Sequence, residues 1–202
     1  MKMLNRDRGL LQRSVLFAAL LLMPGIVEAQ SKFIGFTAGA SLSDISNYYG
    51  SSSTDSRWGP TAGLVFGVRT YRSTTIGLEP AWIQRGGGDF KTDGIEVPLT
   101  FGAAVRSGDG AMRYGFYTGI GVNFKLSCSD ESGLTFDPCD NMNGSDWFIP
   151  LGFRFVRQVG SGGGGLGLDV RYAIPLDSSF EGLDVLTRAW TFRLIYVKGL
   201  GT

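Results

Sequence analysis

From residue 33 onward the chain alternates apolar residues with small or polar ones at a period of two. Residues 33–42 put Ile34, Phe36, Ala38, Ala40 and Leu42 on one face, and Gly35, Thr37, Gly39 and Ser41 on the other. Residues 61–70 set Ala62, Leu64, Phe66 and Val68 against Thr61, Gly63, Gly67 and Arg69. Ile76, Leu78, Pro80 and Trp82 oppose Gly77, Glu79, Ala81 and Arg85, and residues 95–106 alternate likewise. Four further runs follow over residues 114–125, 146–155, 166–174 and 190–196. A period of two over such lengths predicts β-strands. The count is roughly eight strands of about ten residues, the length a tilted strand needs to cross a bilayer.

The two faces differ in kind. One is large, continuous and aromatic; the other is Gly, Thr and charges of both signs. Eight strands close around an interior just wide enough for side chains. Phe, Trp and Leu from every strand would overfill it, whereas Gly and a few charged groups would not. The apolar face is therefore expected to meet lipid, and the fold class is all-β: an eight-stranded antiparallel transmembrane up-and-down barrel. The opposite orientation, a soluble barrel or sandwich with the apolar face inward, would make a periplasmic ligand binder. Facing inward in the membrane arrangement are Glu79, Glu96, Asp146 and Asp169, with Arg69, Arg85, Arg154, Arg171, Arg193 and Lys125. The two signs are near balance, as a closed interior requires, because an unpaired buried charge costs several kcal/mol, on the order of 3–5. These groups are read as a structural ion-pair network filling the lumen, with a selectivity filter as the functional alternative.

Connections alternate in length. Those near Tyr71, near residues 107–110 and over 160–164 are short or Gly-rich; those over 43–58, 86–94, 127–145 and 175–188 are longer and polar. Outer-membrane barrels place short turns in the periplasm and long loops outside. Trp58, Trp82, Trp147 and Trp190 fall beside the long connections, and Tyr71, Tyr114 and Tyr196 at the opposite ends. Amphipathic aromatics favour membrane interfaces, so they are read as two girdles.

The first thirty residues are set apart. Lys2, Arg6, Arg8 and Arg13 give a basic start, residues 15–23 are apolar, and Pro24-Gly25 break the run before Val27-Glu28-Ala29. This predicts a secretory signal over residues 1–29, cleaved after Ala29, and a barrel domain over 30–202. The apolar run is shorter than the ~20 residues a spanning helix needs. Export exposes Cys128 and Cys139, the chain's two cysteines, to an oxidising compartment, and a disulfide pinning their loop is expected. Asp130, Glu131, Asp137 and Asp140 crowd that loop without EF-hand spacing.

Composition removes other classes. The net charge of +1 gives no bulk case for nucleic acid. Histidine is absent, which takes away the commonest general base and metal ligand, so neither an enzyme nor a cofactor is expected.

Four motifs carry a resemblance. Gly77-Leu78-Glu79-Pro80-Ala81-Trp82 followed by Gln84-Arg85-Gly86 resembles the third strand of the PorT-like outer-membrane β-barrel family. Ile95-Glu96-Val97-Pro98-Leu99, Tyr117-Thr118-Gly119-Ile120-Gly121 and Leu166-Gly167-Leu168-Asp169-Val170-Arg171-Tyr172 are similar to later strands of that family, in order. The chain departs from the pattern at its end, where Lys198 to Thr202 follow Tyr196 in place of a closing aromatic. The resemblance implies a bacterial outer-membrane location and a barrel fold more than an activity. The leading expectation is a monomeric, non-enzymatic surface barrel that contacts outer-membrane lipid and meets an extracellular partner through residues 43–58 and 127–145. A narrow solute pore is the alternative.

Overall fold

The computed structural model describes residues 31–47, 55–70, 73–130, 139, 142–160, 163–179 and 185–200. The expected signal over 1–29 lies outside the described residues, as do Tyr71, Glu131, Asp137 and Asp140. The described chain forms nine strands: β1 (Ser31–Asn47), β2 (Arg57–Arg69), β3 (Thr74–Leu78), β4 (Ala81–Gly87), β5 (Phe90–Arg106), β6 (Met112–Asp130), β7 (Ser145–Val159), β8 (Gly164–Pro175) and β9 (Val185–Gly199). Every pairing is antiparallel, and β1 pairs with both β2 and β9, so the sheet closes on itself.

β3 and β4 are two halves of one barrel stave. The break falls at Glu79-Pro80, where proline has no N–H to give the ladder. The chain stays in line because the Glu79 N–H donates to the Pro98 carbonyl (3.1 Å) and the Leu64 N–H to the Pro80 carbonyl (2.8 Å). The barrel thus has eight staves.

Alternation sorts the side chains as period-two geometry requires. Outward-facing Phe116 is 71 % exposed and Leu194 59 %, while inward-facing Arg171 and Asp169 are 0 % exposed. This is a core turned inside out, with charge in the lumen and apolar surface outside. The outer surface is knitted by ring contacts between neighbouring staves, among them Phe116–Phe153 (4.9 Å) and Tyr172–Trp190 (4.8 Å). Not all of the lumen is polar: Val65, Ile83, Phe148 and Ile195 are buried there.

The connection at residues 86–94 is not a long loop. β4 and β5 stay paired up to Gly87↔Phe90 and turn through two residues. The polar alternation of Gln84, Lys91 and Asp93 carries the ladder on, with a Gln84 amide to Asp93 carboxylate bond of 2.9 Å. No continuous apolar face marks this strand, because Gln84, Lys91 and Asp93 line its outer side and Phe90 is followed by Thr92 and Gly94 on the other. Trp82 therefore lies within a stave, between Ala62 and Ile95, and not at its end. β1 likewise runs on to Asn47 and β6 to Asp130, into the segments expected to be loops. A register shift opposite Asp93/Gly94 skips Leu126, so Cys128 stands across from buried Thr92.

Candidate functional site

The lumen is built around three carboxylates. Glu79 sits at the proline break, Glu96 across from Ala81 on β5, and Asp169 midway along β8. Alternation points all three inward, and barrel closure brings four arginines from other staves onto them. Arg154 donates to Glu79 Oε1 and Asp169 Oδ2, both at 2.8 Å. Arg193 reaches Glu79 Oε2 at 3.2 Å and also binds Asp169. Arg171 donates to Glu96 Oε2 at 3.0 Å and stands 3.9 Å from Glu79 Oε2. Arg85 pairs with the other Glu96 oxygen. Two hydroxyls complete the set: Tyr117 bonds both Asp169 oxygens at 3.1 Å, and Thr100 bonds Glu79 at 3.2 Å. Towards the long-loop end, Lys125 pairs separately with Asp146 (2.9 Å) and donates to the Ser179 carbonyl (2.8 Å).

Nine of the ten inward charges expected from the sequence thus meet a partner of opposite sign. Arg69 does not. Its guanidinium lies 5.7 Å from the Phe33 ring at the short-turn end. The central network has four arginines to three carboxylates, and the surplus is cationic. Tyr117, Arg154, Arg85 and Phe148 also stack: Arg154 lies over Tyr117 (5.0 Å) and Arg85 over Phe148 (5.6 Å). Parity alone turned Tyr117 and Phe148 inward, but their partners depend on the register of closure, which no single strand encodes.

Arginine-bound carboxylates of this kind are poor general bases, since each of their oxygens already accepts from a guanidinium. Among the described residues no three metal-ligating side chains converge. Cys128 and Cys139 are bonded, with Cα atoms 5.7 Å apart. Of the expected girdle residues, Trp58, Trp82, Trp190 and Tyr114 point outward and exposed, and Trp147 and Tyr196 outward and half-buried.

Residues 28–181 match the family described as outer membrane protein beta-barrel domain. The chain belongs to that family. The protein is accordingly a bacterial outer-membrane β-barrel, seated in membrane lipid by its apolar outer face. Two solved structures share the fold. OprG from Pseudomonas aeruginosa superposes with a TM-score of 0.55 at 11 % identity, covering 87 % of this chain and 99 % of that one. Neisserial surface protein A gives 0.52 at 11 % identity, covering 83 % and 96 %. At such identities the likeness is one of fold. No protein of curated function matches the sequence. Membership removes the soluble, periplasmic arrangement, and the short-turn end of the barrel is the periplasmic one.

Proposed function

We propose that this barrel is a non-enzymatic, non-conducting surface element whose long loops do the contacting while the lumen serves as a rigid support. The observation that carries this reading is the ion-pair network, which spans the lumen from β4 to β9 and leaves its carboxylates committed to arginines. The long-loop end supports the same view, because β1, β4, β5 and β6 extend there as paired strand and Cys128–Cys139 ties the loop beyond β6. The extracellular partner is assigned to residues 43–58 and 127–145. The four ordered motifs support a place near PorT-like barrels. The outward Trp and Tyr residues are taken as interface girdles, the barrel as a monomer, and residues 1–29 as a cleaved signal, so the mature chain would begin at Gln30.

Planar-bilayer recording of the purified barrel tests the closed lumen, with no resolvable conductance expected. Reproducible single-channel steps would replace this reading with that of a narrow pore. Exchanging residues 48–54 and 131–138 for Gly-Ser segments is expected to abolish attachment of bacteria to host matrix while the barrel keeps its heat-shifted gel mobility. Unchanged attachment would remove the loops as the contact surface.

A further inference from the structure

The periplasmic half of the lumen is open where the central network stops. A cavity of about 320 Å³ lies there between the ends of the staves. Among the described residues its wall carries Lys32, Arg69, Arg106, Arg113 and Arg154, and no Asp or Glu. Of these, Arg154 at the floor is the one paired with carboxylates among the described residues. Arg106 and Arg113 are directly opposite each other on β5 and β6. Alternation turns both toward the lumen, alongside Gly102 and Gly115. Like charges directly opposite across strands destabilise a sheet. Neither has an ion pair with a described carboxylate, and the buried Nε of Arg69 has no hydrogen-bond partner. Asp109, in the turn joining β5 to β6, is engaged by Ser107 and the Ala111 N–H and does not line the cavity.

We propose that this vestibule binds a small, multiply charged oxyanion of the phosphate class, entering from the periplasm. A dianion between Arg106 and Arg113 would turn a repulsive pair into a bridged one, and planar guanidinium forks suit phosphate oxygens. The surplus arginine in the network beneath adds to the positive field. Glycines along the wall (Gly77, Gly115, Gly165) leave the space that side chains would otherwise fill. A soluble phosphate and the phosphomonoester headgroup of an inner-leaflet lipid present the same chemistry.

The test uses the mature chain folded in an uncharged maltoside detergent and titrated calorimetrically with inorganic pyrophosphate, ionic strength being held constant with chloride. Saturable binding at one site is expected. Replacing both rim arginines (R106Q with R113Q) should weaken it at least tenfold, as should R69Q alone. K198Q, on the outward face at the same end, should leave it unchanged. Pyrophosphate should also raise the thermal unfolding midpoint of the wild type and not that of the double variant. In nanodiscs, competition by phosphatidic acid over phosphatidylcholine would assign the site to a lipid headgroup, and its absence to a free anion. No saturable binding by wild type, equal binding by the double variant and R69Q, or an equal loss in K198Q would each overturn the proposal.

Discussion

Tyr117 lies across Gly152, its register partner on β7, so closely that a side chain at position 152 would stand inside the ring. The same device recurs where Phe148 covers Gly121. An aromatic from one stave lies flat only because its neighbour has no Cβ. The Tyr117 position matters further because its hydroxyl holds Asp169. Gly152→Ala should push the ring off its seat and cost about 1–3 kcal/mol, the usual range for overpacking. Gly144→Ala is the control: nothing lies within 4 Å of a Cβ built there, and a change within about 0.5 kcal/mol is expected. Urea unfolding midpoints in lipid vesicles measure both.

Asp169 is held in the lumen by three side chains, Arg154, Arg193 and Tyr117. Asp169→Asn keeps the shape and removes the charge, leaving both arginines to Glu79 alone. Breaking a buried pair by removing one partner typically costs about 3–5 kcal/mol. Tyr117→Phe removes one hydroxyl donor shared between the two oxygens of a charged group, and about 1.5–3 kcal/mol is expected. Heat-shift temperature on gels should therefore rank wild type above Tyr117→Phe, and that variant above Asp169→Asn.

Why the inward charges were legible while their pairings were not follows from geometry. Period two turns every second residue to one face, so Glu79, Glu96 and Asp169 are placed by their own strands. That Arg171 finds Glu96 on a distant stave depends on closure and stagger, which are properties of the whole ring. Arg69 shows the difference: its parity is right, but its height in the barrel puts it beyond the carboxylates of the central network. The hairpin over residues 86–94 was hidden for another reason. Beyond the bilayer the outer face carries Gln84, Lys91 and Asp93 in place of apolar residues, the apolar signal vanishes, and only hydrogen bonding between β4 and β5 records the strand.

The Cys128–Cys139 bond closes a short loop at the outer end of β6. The chain-entropy account gives roughly 3 kcal/mol for a loop of this size. That stabilisation falls on the loop and the end of the β5–β6 ladder, since the spanning part of the barrel is held by its own pairing. Replacing both cysteines with serine should accelerate proteolysis within residues 127–145 and leave the heat-shifted mobility unchanged. Loss of the heat shift would mean that the bond supports the barrel itself.

The turn between β5 and β6 provides a pH-dependent element outside the membrane. The Ser107 hydroxyl bonds the Asp109 carboxylate, and the Ala111 N–H donates to it at 3.0 Å. The Ser107 bond, then the Ala111 bond, and more weakly the charge of Arg157, favour the ionised form and hold the Asp109 pKa below its ordinary value of 3.8. A folded-state pKa lowered in this way means that the turn is favoured while the group is ionised. The support is complete above the ordinary carboxylate range and is lost as pH falls through the lowered folded value. The Ala111 amide resonance of the barrel in micelles should therefore titrate with a midpoint below 3.8. Asp109→Asn should flatten that titration while keeping a side-chain acceptor for the Ala111 amide. A midpoint at or above the ordinary value would show that the carboxylate is not held by these bonds in solution.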